Sequence, residues 1–350
     1  MNVKIILLFL IICDNLIGQM YHISGIISDS VNGEFLIGTN IICLEENNYT
    51  TTNNYGYFSI KLNYGIKTIK VSFIGYNTKV INFFLNKDTT LYIKLTPVVE
   101  ELEAVIVQSE NNNINLPRMG FHKLKQIILK NTPNVTGISD VLKTIQLLPG
   151  IQATNEGTIN FNVRGGSFDQ NLILIDEAPI YNPSHVLGFI STINTSVIKN
   201  IDLYKGDFPS KYGGRASSIM DIRLKEGNNQ KYSFNTDIGL IMSGLTFEGP
   251  IIKNRTSFLI ACRYSYAGWM ANNIKKISDY IYIPSLNNFQ SGNNVYFYDL
   301  NGKVNFNINN KNRIYIAGYK GYDFFYAKNV DDRSNMEWGN STLTIRWNHV

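Results

Sequence analysis

From Tyr232 onward, apolar and polar residues alternate with a period of two over stretches of about ten residues, a pattern that few folds can satisfy. Tyr232, Phe234, Thr236, Ile238, Leu240 and Met242 fall on one side of a strand; Ser233, Asn235, Asp237 and Gly239 fall on the other. After a short turn at 249–255, Phe258, Ile260, Cys262, Tyr264 and Tyr266 repeat the pattern. Between Tyr296 and Ile308, the apolar Leu300, Val304, Phe306 and Ile308 oppose Asp299, Asn301, Lys303, Asn305 and Asn307. Arg313 to Phe324 alternates less cleanly, and Leu343, Ile345 and Trp347 open another strand. A period of two gives every strand one apolar and one polar face. A soluble sandwich would use the same pattern, so the connections have to decide. Those at 249–255 and 309–312 are short and that at 267–294 is long, as periplasmic turns and outer loops are in a transmembrane barrel. About five strands cannot close such a barrel, and open edges are forbidden in lipid. The 350 residues are therefore expected to hold only the start of a barrel and not to insert stably alone.

The N-terminus explains how such strands would reach a membrane. Lys4, an apolar run from Ile5 to Cys13, the polar Asp14-Asn15 and Gly18 follow the order of a secretory signal, with cleavage before Gln19. Nine apolar residues fall well short of the ~20 that a spanning helix needs. With Cys13 in that segment, only Cys43 and Cys262 remain, so no disulfide framework is expected. The net charge of +5 is spread among interleaved acids and bases, which argues against nucleic acid as a partner.

From Tyr21 to Leu95, short β-branched and aromatic runs recur between turn signals, as in an all-β sandwich. Ile41–Leu44, Tyr57–Leu62, Thr68–Ile74 and Leu91–Leu95 are the clearest strands. Gly25-x-x-x-Asp29, Leu36 to Ile41, Thr52 to Phe58 and Val71 to Tyr76 together resemble the carboxypeptidase-regulatory-like domain, a transthyretin-like sandwich. Phe35 departs from it, standing where that family has proline. The family's name does not make this module an enzyme. His22 is its one histidine, and no zinc-ligand spacing accompanies it.

Pro97 ends the module, and an acidic-then-aliphatic stretch runs from Val98 to Ser109. An extended aliphatic segment between polar linkers can add to another protein's sheet edge through backbone hydrogen bonds. It can equally be the last strand of the sandwich, and the residues leave both readings open. Further on, Ser139 is expected to cap a helix carrying Leu142, Ile145 and Leu148 on one face, ended by Pro149-Gly150. Strands at Ile159–Arg164 and Asn171–Asp176 flank Gly165-Gly166, and strands at Val197–Tyr204 and Ser218–Leu224 flank Lys205-Gly206 and Tyr212-Gly213-Gly214-Arg215. Glycines so placed allow positive φ and close backbone approach. Neither glycine pair follows a phosphate-binding pattern or opens a helix. Ser167 lacks the flanking glycines of a nucleophile elbow, and Asp169, Asp176 and Glu177 read as turn acids, so no catalytic residue and no metal site are assigned.

The order of Ser139 to Gly227, followed by alternating strands, resembles the plug domain of a TonB-dependent outer-membrane receptor entering its barrel. The arginine-glycine motif is matched at Arg164-Gly165 and the basic residue with glycine at Lys205-Gly206, whereas the family's Asp-Gly turn is replaced by Asp176-Glu177-Ala178-Pro179, which puts a tight two-residue turn in question. The resemblance implies a mainly β chain: a signal peptide (1–18), a β-sandwich (19–96), a linker (97–117), an α+β plug (118–227) and the first antiparallel barrel strands (228–350). It implies import of a solute without chemistry and without a cofactor, in the outer membrane and against its lipid, driven by TonB with ExbB and ExbD. It places a TonB box at Glu103, Ala104, Val105, Ile106, Val107 and Gln108. It also implies solute contacts at Gly166, Ser167, Phe168, Asp169 and Gln170 and at Tyr181, Asn182 and His185. Arg164 and Lys205 would pair with barrel glutamates expected beyond residue 350, the alternative being plain surface charge. The rival to the whole reading is a secreted or surface binding protein built of β-modules.

Overall fold

The computed structural model describes residues 20–98, 120–132, 137–270, 272–273, 294–309, 311–328 and 333–349, in two compact units divided between Gln108 and Ser109. The expected signal segment and the expected box at Glu103–Gln108 lie outside the described residues.

The first unit is a seven-stranded sandwich. Strands β1 (Met20–Asp29), β4 (Tyr57–Asn63) and β7 (Thr89–Leu95) form one sheet, ordered β4-β1-β7; β2 (Asn40–Cys43), β3 (Asn48–Thr51), β5 (Gly65–Ser72) and β6 (Lys79–Leu85) form the other, ordered β3-β2-β5-β6. Alternate residues point inward, so Ile23, Ile27, Ile41, Phe58, Leu62, Ile69, Val71 and Leu95 bury one shared core. Each such side chain stabilises by roughly 1.5–3 kcal/mol. β1 pairs antiparallel with β4 but parallel with β7. The turns run where glycine supplies positive φ, and a Cβ on Gly56 would strike Phe35, the residue in the proline position.

The second unit joins an α+β layer to an antiparallel sheet. Its five-stranded mixed sheet contains β8 (Phe121–Lys125), β11 (Asn171–Ile175), β12 (Ala178–Pro179), β15 (Ile198–Tyr204) and β16 (Ser218–Leu224), ordered β12-β11-β16-β15-β8. Two small ribbons accompany it: β9 (Ile151–Ala153) with β10 (Phe161–Val163), and β13 (Ser184–His185) with β14 (Ile190–Ser191). β10 is shorter than the expected strand because Arg164 leaves extended geometry at φ 49°, and it pairs with β9. The helix Val141–Gln146 is capped by Asp140 and not by Ser139: the Asp140 carboxylate accepts from the Leu142 and Lys143 amides, at 2.9 and 3.3 Å. Leu142 and Ile145 are buried with Phe161, Ile173, Ile201, Leu203, Met220 and Ile222.

The same core takes in Leu259, Ala261 and Tyr319 from the second layer, so the two layers share one apolar interior. That layer is a meander of six strands: β17 (Ser233–Ile238), β18 (Met242–Ile252), β19 (Thr256–Ser265), β20 (Asn294–Asn307), β21 (Asn312–Lys328) and β22 (Arg333–His349). The expected single strand Tyr232–Met242 is in fact broken. Gly239 donates to the Met242 carbonyl, closing a hairpin, and Met242 begins β18. Tyr232, Phe234, Ile260, Tyr264, Leu300, Leu343, Ile345 and Trp347 are exposed on the outer face. Asp299, Asn301, Lys303, Asn305, Arg263 and Asp323 are buried on the inner face, against the α+β layer.

Candidate functional site

Where the α+β layer meets the inner face, charged side chains are paired in two clusters. The first surrounds His185. Its Nδ1 lies 2.6 Å from Asp323 Oδ2 and its Nε2 2.8 Å from Asp299 Oδ1, so each ring nitrogen faces a carboxylate acceptor. Phe297 stacks on the ring at 4.1 Å with planes 9° apart. Arg263 donates through Nε and Nη2 to Asp299, and Tyr319 donates to the same carboxylate at 2.7 Å. Two carboxylates and one guanidinium leave a net negative charge in a buried site, and an imidazolium cancels it. Burial works against the charged ring, but the Asp299 and Asp323 carboxylates prevail and hold its pKa above the ordinary value.

The second cluster is built on the turn after β11. Leu174 pairs with Pro179 and Ile175 with Ala178, so Asp176 and Glu177 form a two-residue hairpin with positive φ at both, 44° and 73°. The tight turn exists without glycine. Such geometry favours Asn-Gly or Asp-Gly, and a glutamate there is strained. What holds it is charge: Lys303 reaches Asp176 at 3.0 Å and the Leu224 carbonyl at 3.0 Å. Glu177 accepts from Arg223 at 3.0 Å and from Arg346 Nε at 2.9 Å. Burial opposes ionisation of Glu177, yet these two guanidiniums keep its pKa below the usual carboxylate value. Nearby, Glu226 lies 3.5 Å from Lys199 and 3.8 Å from Arg313, and its backbone carbonyl accepts from Ser257 at 2.7 Å. Gly227 then passes so close to β19 that a Cβ would meet the Phe258 carbonyl oxygen at 2.3 Å.

The expected site residues divide. Phe168, Asp169 and Tyr181 line one pocket of about 100 Å³, together with Pro179, Pro183 and Arg215. Gly166 packs on Ser217, and Ser167 precedes the 3₁₀ turn Phe168–Gln170. Asn182 is tied down, since its carbonyl accepts from Asn340 at 2.7 Å and its side chain from Ser184 at 2.8 Å. His185 does not fit a solute contact: it is wholly buried between its two carboxylates. Arg164 and Lys205 sit side by side, and neither has an ion pair among the described residues. Lys205 Nζ donates to the Pro149 carbonyl at 2.6 Å, and burial, with the Arg164 charge added, pulls its pKa down. The cross-layer ion pairs among the described residues involve His185, Asp176, Glu177 and Glu226, which the sequence pattern did not single out for that role.

Two stretches of the chain match known families. Residues 23–107 match the CarboxypepD_reg-like domain, and residues 126–218 match the TonB-dependent receptor plug domain. No curated protein matches. Among solved structures, the siderophore receptor PirA from Acinetobacter baumannii is 16% identical with a TM-score of 0.42, covering 60% of this chain and 32% of its own. The outer membrane transporter YddB from Escherichia coli is 14% identical with a TM-score of 0.44, over 65% of this chain and 36% of its own. A ferric enterobactin receptor (PfeA) mutant from Pseudomonas aeruginosa is 15% identical with a TM-score of 0.40, over 59% and 33%. The chain thus spans about a third of the length of the receptors it matches. It carries, in order, a CarboxypepD_reg-like domain and the plug domain of the TonB-dependent receptors.

Proposed function

We propose that this chain is part of a TonB-dependent outer-membrane receptor that admits a scarce solute through a plugged β-barrel and performs no chemistry on it. One observation carries the reading: a plug-family fold is seated, through paired charges, on the polar face of an antiparallel sheet whose opposite face is apolar. A soluble β-module protein has no use for an outer face bearing Leu343, Ile345 and Trp347, each about two-thirds exposed or more. On this reading β17–β22 begin the barrel near residue 228, and the residues before Gln19 are removed on export.

Solute would first touch the pocket of Phe168, Asp169, Tyr181 and Arg215, which offers two aromatic faces, one acid and one base. The energy would come from TonB, assisted by ExbB and ExbD, through a strand added by Glu103–Gln108. Uptake of labelled iron chelates, cobalamin, peptides and glycans should be compared in a deletion strain, the restored strain and a strain carrying Val105→Pro. Loss in the first and third, with the protein found in outer-membrane fractions, supports the proposal. Unimpaired uptake of every solute by the deletion strain, or recovery of the full-length protein in the soluble periplasm, overturns it.

A further inference from the structure

The ribbon β13–β14 carries a conformation that L-residues avoid. Immediately after His185, Val186 and Leu187 take φ values of 50° and 54°, and Gly188 follows at 104°. A β-branched valine in the left-handed region is strained, and such strain persists only where the surroundings hold it. The clamp on this segment is short and specific. Asp323 accepts from the His185 ring through Oδ2 and from the Val186 amide through Oδ1, at 2.9 Å, so one carboxylate grips the ring and the strained backbone together. Asp299 grips the other ring nitrogen. Beyond the clamp, Leu187 and Phe189 project as exposed apolar side chains. The attachment lies far from the short turn between β20 and β21: Asp299 is eight residues above Asn307, roughly 26 Å along the strand.

From this geometry we infer that His185 is a proton-operated bolt, which as imidazolium fastens the strained Val186–Phe189 segment to the inner face and on losing its proton lets the segment go. The groups around it decide the direction. From the sheet it faces Asp299 and Phe297 of β20, Asp323 and Tyr319 of β21 and Arg263 of β19. From its own layer, the Asp140 carboxylate is occupied by the Ser191 amide at 2.8 Å. A neutral imidazole has one N–H and one lone pair. It can satisfy one carboxylate but must turn its lone pair on the other, setting two acceptors face to face within hydrogen-bond distance. Because the docked ring holds its proton above the ordinary value, the bolt is complete below about pH 6.5 and is lost as pH rises through that higher value. This goes beyond the import reading and is independent of it, because it concerns docking alone.

The test uses the full-length receptor in detergent, with ¹⁵N-labelled histidine and amide hydrogen exchange across pH 6–10. The expected result is a His185 ring protonated on both nitrogens at pH 7, deprotonating above the ordinary range. The Val186 to Ile190 amides, corrected for intrinsic rate, should then exchange at least about tenfold faster over the same interval. In His185→Gln that exchange should be fast at every pH, with β11 and β16 still protected. A neutral His185 ring at pH 7 overturns the inference, and so does a pH-dependent release that survives in His185→Gln. Where the variant fails to fold, the ring nitrogens of the unaltered protein decide.

Discussion

At the scale of single residues, the interface tolerates little substitution. Gly227 has φ 81° and no room for a Cβ beside Phe258, so Gly227→Ala should cost about 1–3 kcal/mol from strain, with the clash in addition. Denaturant unfolding of the full-length protein would register it. Asp140→Ala removes a helix cap and the acceptor for the Ser191 amide, and about 1–2 kcal/mol should go with the cap alone. In the sandwich, Glu45 accepts from the Thr68 amide at 2.8 Å, which lowers its pKa to about 2. Its contribution to stability is therefore present above the ordinary carboxylate range and lost as pH falls through about 2, a titration that carboxyl ¹³C NMR would follow. These roles are faintly marked in sequence. Asp140 rather than Ser139 caps the helix because its two oxygens can serve the helix and the Ser191 amide at once, and Ser191 is 51 residues away.

At the scale of elements, the Asp176-Glu177 turn joins local geometry to long-range charge. Its two acids should respond differently to neutralisation. The Asp176 side chain is only 8% exposed, and Asp176→Asn would leave buried Lys303 without its anion, a loss of roughly 3–5 kcal/mol. The Glu177 side chain is 43% exposed and Arg223 keeps Asp221 at 3.0 Å, so Glu177→Gln should cost about 1 kcal/mol or less. Equal effects in thermal unfolding would refute the assignment. Strands and helix were legible because burial imposes their periods: Ile201 and Leu203 alternate inward on β15, as Met220 and Ile222 do on β16. Hairpins were less so. The break at Gly239–Ile241 hides within a continuous apolar alternation, since Leu240 keeps the period while the chain reverses. Nor does the turn composition at Asp176-Glu177 announce positive φ; only the distant partners Lys303 and Arg346 make it stable.

At the scale of the molecule, the second unit is an apolar-backed sheet with β17 and β22 at its two edges. The 350-residue polypeptide should therefore fail to insert as ordered, heat-resistant sheet into lipid vesicles, because unpaired strand edges cannot be satisfied in hydrocarbon. Stable insertion would contradict the barrel reading of β17–β22. The order of modules was readable because each has its own punctuation, Pro97 after the sandwich and the glycines from 165 to 227 within the plug. The partnership of the layers was not. His185 looks from the sequence like a loop side chain awaiting a ligand, and its carboxylates lie 114 and 138 residues further on.

The sandwich has a mechanical property set by its first and last strands. β1 and β7 run side by side in the same direction, Ile23 beside Thr89 and Asp29 beside Leu95, so the polypeptide enters this module at one end of the pair and leaves at the other. Tension along the backbone would therefore slide the two strands lengthwise and load every rung of that ladder together, where an antiparallel pair would open rung by rung like a zip. A module built this way can transmit a pull while staying folded.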